Sequence, residues 1–119
     1  MTLVDTSVWV NHFRRGDAEL AQKLVDGLVL MHPFVLGEIA CGNLHRRPQV
    51  LNDLEKLPLA VSASHSEVMQ FLETHKLFGS GLGWIDAHLL ASALLSNCRI
   101  WSHDRGLQAA ASKLNLVVR

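Results

Sequence analysis

Three long stretches of this chain are nearly free of charge, and each retains one carboxylate. From Met1 to Phe13 the only Asp, Glu, Lys or Arg is Asp5. Between Asp26 and Arg46 it is Glu38, and between Lys76 and Arg99 it is Asp86. A carboxylate among apolar residues is costly to ionise unless something positive meets it. No Lys or Arg is near in sequence, so these acids either reach the surface singly or converge on a cation. A fourth, Asp104, follows the apolar pair Ile100-Trp101 and could join them. Four acids gathered from distant segments would make a hard, oxygen-lined site suited to Mg²⁺ or Mn²⁺.

Such a site needs elements that bring the four segments together. Thr2-Leu3-Val4 reads as a buried strand with Asp5 at its carboxyl end, and Thr6 or Ser7 can cap a helix running through Phe13. Asp17 starts a second helix, with Leu20, Leu24 and Val25 on one face. Gly27 ends it before a strand at Leu28 to Met31. Pro33 opens a third helix, which carries Glu38, and Pro48 opens a fourth with Val50, Leu51, Leu54 and Leu57 inward. Leu59 to Val61 suits a short strand. Ser64 and Glu67 have the spacing of a capping box for a fifth helix. The loop Gly79 to Gly83 precedes a long helix, about Ile85 to Ser96, with Asp86 in its first turn, where the helix dipole tolerates negative charge. Arg99 to Trp101 is another strand, with Asp104 just past its end. A helix from Arg105 to Leu114 and an edge strand at Leu116 to Val118 follow. Short apolar strands alternating with helices predict an α/β fold built on a parallel sheet. Ligands of such sheets bind outside the carboxyl ends of the strands, where Asp5 and Asp104 fall.

The bulk numbers narrow the function. The chain has 119 residues, enough for a single domain over residues 1–119, and 49% are hydrophobic, enough for a real core. Acidic and basic residues balance at 11 each, which excludes a basic coat for nucleic acid. Any such contact must be local, at a metal site or at a patch such as His45-Arg46-Arg47 or Arg14-Arg15. Cys41 and Cys98 have neither metal nor redox spacing, and both are expected to be reduced and partly buried. No signal peptide or membrane span is legible, so a cytoplasmic protein without membrane contact is expected. The seven histidines form no zinc spacing. Gly79 to Gly83 lacks the Lys-Ser/Thr ending of a phosphate loop. Trp9 and Trp84 suit a core or an interface better than base stacking.

The segments Leu3-Val4-Asp5-Thr6-Ser7, Leu36-Gly37-Glu38-Ile39, Gly83-Trp84-Ile85-Asp86-Ala87-His88-Leu89-Leu90-Ala91 and Trp101-Ser102-His103-Asp104-Arg105 resemble the PIN-domain ribonucleases. The likeness is strongest to VapC, the toxin half of the VapBC toxin–antitoxin pairs, and it spans the whole chain in order. The resemblance implies a small parallel sheet with helices on both faces. It places Asp5, Glu38, Asp86 and Asp104 as a catalytic set that holds Mg²⁺ or Mn²⁺, supported by Thr6 or Ser7 and by Ser102. It implies endonucleolytic hydrolysis of RNA phosphodiesters, leaving a 3′-hydroxyl and a 5′-phosphate, with Asp5 and Asp86 as principal ligands. His103, Arg46 and Arg47 are candidates for RNA contact. A homodimer and a VapB antitoxin are implied as partners, with Trp9, Phe13, Phe71 and Phe78 supplying apolar surface for both.

Two other readings compete. A PIN nuclease of RNA processing would share the acids but have no antitoxin. A receiver-type signalling module also gathers acids around Mg²⁺, yet it needs paired acids at the first strand and a late-strand Lys, and this chain has neither in place.

Overall fold

The computed structural model describes residues Met1 to Val117. A small parallel sheet of β1 (Thr2–Val4), β2 (Val29–Leu30) and β3 (Arg99–Trp101) lies in the order β2-β1-β3. Thr2 and Leu3 pair with Val29 and Leu30 on one side. Thr2, Leu3 and Val4 pair with Arg99, Ile100 and Trp101 on the other. All three residues of β1 are buried, as befits the central strand of a covered parallel sheet. The helices are α1 (Thr6–Arg15), α2 (Ala18–Val25), α3 (Pro33–Ala40), α4 (Arg47–Glu55), α5 (His65–Thr74), α6 (Trp84–Leu95) and α7 (Arg105–Lys113).

This order carries a topological consequence. The chain leaves β1 for β2 on one side, then crosses to β3 on the other. Parallel crossovers are right-handed, so the two connections cover opposite faces of the sheet. The direction reverses between β1 and β3, the point beyond whose carboxyl ends such sheets bind their ligands. Asp5 and Asp104 are the residues that follow.

Local sequence explains most boundaries. Asp17 caps α2 by accepting the Leu20 N–H, and Ser64 and Glu67 complete the capping box of α5. Pro33 sits in the first turn of α3, whose cap is His32. The buried stretch of α6 runs without a break from Ala87 to Ala93, so this helix is the spine of the core.

Several expectations are corrected. Val25 is 82% exposed, because it is the last residue of α2 and only Leu20 is buried within that helix. Leu59 to Val61 forms no strand: Leu59 makes a single bridge to Met31, and the Val61 N–H turns away to the Ser96 hydroxyl. The expected edge strand at Leu116 to Val118 reduces to a bridge between Val117 and Ile100, with Val118 outside the described residues. Both cysteines are free, but Cys41 is exposed and only Cys98 is buried. Trp9 and Phe71 are buried and leave no surface for a partner, whereas Phe13 and Phe78 are exposed. Among the described residues no helix is long and apolar enough to cross a membrane.

Candidate active site

Pairing of β1 with β3 builds one half of the site. The Asp5 N–H donates to the Trp101 carbonyl, 2.9 Å, which fixes the residue after β1 beside the residues after β3. Asp5 stands at the N-cap position of α1, yet its carboxylate caps nothing. Its Oδ2 accepts two hydroxyls instead, Ser7 at 2.7 Å and Ser102 at 2.8 Å. Each serine also accepts a backbone amide, His103 N–H at Ser7 (3.0 Å) and Asp104 N–H at Ser102 (2.9 Å). The two serine oxygens lie 3.4 Å apart, but both protons are already spent on Asp5. Asp5 is 7% exposed, so this closed circuit satisfies a carboxylate that water scarcely reaches.

Asp104 commits one oxygen to its own helix. Oδ2 caps α7 by accepting the Leu107 N–H at 2.8 Å. One turn later Gln108 donates from Nε2 to the Ser102 carbonyl at 2.6 Å. Sequence reasoning missed Gln108, although its spacing of four residues from Asp104 puts both on one helix face.

The helical half is looser. Glu38, exposed on α3, accepts the Thr6 hydroxyl at 2.8 Å, so Thr6 ties α3 to the start of α1. The two candidate hydroxyls therefore serve different acids, Thr6 for Glu38 and Ser7 for Asp5. Asp86 lies half-buried in the first turn of α6. Its pKa is raised, first by burial and then by the negative charges of Asp5, Asp104 and Glu38, with partial relief from the Gly83 backbone. All three of the other acids thus act on Asp86, and no cation figures among the influences on it. As they lie, no three His, Cys, Asp or Glu side chains among the described residues are grouped closely enough to hold one ion.

The PIN domain family profile matches residues 2–113. The chain belongs to the PIN-domain family. Over 114 residues it is also 41% identical to Ribonuclease VapC32 of Mycobacterium tuberculosis, in strain CDC 1551 / Oshkosh and in strain ATCC 25618 / H37Rv alike. The match covers 95% of this chain and 92% of the relative, which puts the chain in the VapC branch of the family.

The remaining candidates divide within this PIN domain. His103 is exposed beside Trp101 at the mouth of the β1–β3 crevice. Arg47 is not free for a ligand, because its guanidinium donates to the Ala40 and Gly42 carbonyls and closes the end of α3. Arg46 makes no such contact and lines a groove next to Glu38. His88 is buried between Phe34 and Trp84, with ring centroids 4.7 Å from each, and serves packing.

Proposed function

We propose that this PIN domain is a Mg²⁺- or Mn²⁺-dependent endoribonuclease, the toxin of a VapB-type toxin–antitoxin pair. The observation that carries the reading is Asp86: a half-buried acid held up first by burial and then by the charges of three further acids, with no cation among the influences on it. Such a cluster is electrostatically incomplete. Its donors are all carboxylate and hydroxyl oxygens, the set that a hard divalent ion takes. Completing a first shell requires the exposed Glu38 to turn inward, because Asp5 is already fixed by its two serines.

Bound there, a divalent ion would supply Lewis acidity toward the phosphodiester and lower the pKa of attacking water. The protein's own share is positional. Asp5 offers Oδ1, since Oδ2 is saturated by Ser7 and Ser102. Asp86 offers a carboxylate whose ionisation the fold disfavours until positive charge arrives. Glu38 and Asp104 flank the opening, where either can accept a proton from water. Exposed His103 stands where the RNA backbone would pass. The VapC name of the relatives supports a VapB-type antitoxin. The groove between α5 and α6, where exposed Leu94 and Leu95 stand beside Gln70 and Thr74, supports a second copy as dimer partner.

The test is incubation of purified, antitoxin-free protein with total RNA and Mn²⁺ or Mg²⁺, beside chelator and Asp86→Asn controls. Discrete products with 5′-phosphate ends that require both metal and Asp86 are expected. Cleavage that survives Asp86→Asn would refute the site.

A further inference from the structure

A groove of about 630 Å³, a volume within the range of small-ligand sites (about 300–1,000 Å³), adjoins the acidic crevice on the side of α3. Glu38 lines it, and Thr6, the residue after Asp5, holds that same Glu38. The groove therefore shares one carboxylate with the acids that act on Asp86. The apolar lining comes from Val10 and Phe13 of α1, with Ile39, Leu44 and Val50. Beside Glu38 and Asn43, the polar lining carries exposed Arg14, His45 and Arg46, so its two arginines outnumber its one acid.

Three details separate this groove from an ordinary surface hollow. Phe13 is 38% exposed and lies against the buried Trp9 ring, 5.9 Å between centroids and 28° between planes. Its ring is thus braced from the protein side and open toward the groove. Arg46 takes φ 53° and ψ 47°, a left-handed conformation that a non-glycine residue rarely adopts. It stands at the N-cap of α4, where a guanidinium has no acceptor to offer the helix, and its side chain lines the groove. Arg47, next in sequence, is committed to carbonyls at the end of α3 and holds the loop that presents Arg46.

We infer that this groove is a nucleotide subsite, in which one unstacked base of a single-stranded RNA packs on Phe13 while a phosphate beside the scissile one lies between Arg14 and Arg46. The inference rests on the ribonuclease reading above. Single-stranded binding sites pair an aromatic platform with a basic track, and both are present here at the edge of the acidic crevice. The charge favours a phosphate chain over a protein ligand. The walls are helices and a loop, so no free strand edge offers itself to an extended peptide.

The experiment uses a short labelled single-stranded RNA of mixed sequence. Binding is measured in Mg²⁺ in an Asp86→Asn background, and cleavage kinetics in otherwise native protein. Phe13→Ala should weaken binding and raise KM by about tenfold with kcat nearly kept, and Phe13→Trp should restore both. Arg14→Ala and Arg46→Asn (Asn tolerates the left-handed backbone) should each reduce the salt slope of binding by about 0.7. Lys56→Ala, which removes a charge outside the groove, should leave that slope unchanged. Removing one base next to the cut should weaken native binding and leave Phe13→Ala unaffected. Unchanged RNA binding and KM in all the groove variants would overturn the subsite and leave the groove to a protein ligand. No RNA binding by the Asp86→Asn parent would overturn it too. Binding that depends on Phe13 and Arg46 without cleavage by native protein would uphold the subsite and sink the nuclease reading alone.

Discussion

Helix α6 borders two ionisable groups, Asp86 and His32, whose charged forms burial disfavours and whose hydrogen bonding differs. At its first turn the Asp86 pKa is raised first by burial and then by the charges of Asp5, Asp104 and Glu38. Deeper, Ser92 faces His32, a fully buried imidazole whose pKa is pushed down to about 4 by burial and by His88. His32 is settled from within. Its Nδ1 accepts the Phe34 N–H at 3.0 Å, so Nε2 carries the proton and donates to the Ser92 hydroxyl at 3.1 Å. The neutral ring caps α3 and needs nothing further. Asp5 has two hydroxyls and Glu38 one, and no cation figures among the influences on Asp86. On the reading proposed above, one region is complete as folded and the other is completed by a metal ion. That is the physical difference between a structural polar group and a site.

Breaking the acidic region should produce the largest effect. Asp5→Asn or Asp86→Asn is expected to reduce metal-dependent RNA cleavage on the order of a hundredfold or more, read from initial rates. The same Asp86→Asn change should raise the melting temperature in chelator at neutral pH by about 2–4 °C. The sign follows from the raised pKa. The folded state resists ionising Asp86, so this cost is present above the folded pKa and disappears as pH falls below the unfolded one. Functional loss paired with a stability gain would mark the residue as serving chemistry. A fall in both would break the comparison.

Breaking the histidine region should do the reverse. His32→Ala empties the space of a buried ring and removes the acceptor of the part-buried Phe34 N–H and the partner of the buried Ser92 hydroxyl, and should cost about 2–3 kcal/mol of stability, measured by denaturant unfolding. For native protein the folded pKa of His32 lies below the unfolded value of 6.5. The unfolded chain binds the proton first, so stability should fall as pH drops from about 6.5 to about 4, then level off in this contribution. His32→Asn keeps a cap acceptor and should flatten that slope.

Smaller changes sharpen the picture. Ser102→Ala leaves Asp5 with one hydroxyl and the Asp104 N–H without its acceptor. It should lower activity and apparent metal affinity about tenfold, read by metal titration of the cleavage rate. Thr6→Val releases Glu38 alone and should shift metal affinity by about two- to threefold, with little change in melting temperature. If Thr6→Val matched Ser102→Ala, the locked and loose halves of the site would not differ as their hydrogen bonds imply.

Much of this was legible in the chain. Asp5, Glu38 and Asp86 stand out because each is alone in an apolar stretch, and apolar runs ending in acids mark β1 and β3. The capping box at Ser64 and Glu67 announces α5 because the motif is local. What was not legible depends on tertiary pairing. That Ser7 and Ser102 meet on one oxygen of Asp5 follows from the β1–β3 register, which no local pattern encodes. That Arg46 faces a groove while Arg47 is consumed follows from one left-handed residue and two carbonyls at the end of α3. Leu59 to Val61 had strand composition, but a Ser96 hydroxyl competed for the Val61 amide and won.

The Arg47 clasp also has a kinetic consequence. By bonding the Ala40 and Gly42 carbonyls it closes the segment between α3 and α4 into a short ring. Both bonds are exposed, so the clasp holds the wall beside Glu38 through two bonds from one planar group rather than through burial. A ligand arriving there meets a preformed surface rather than a gate. Its association rate should be governed by diffusion and charge, falling steadily with added salt and showing no concentration-independent phase.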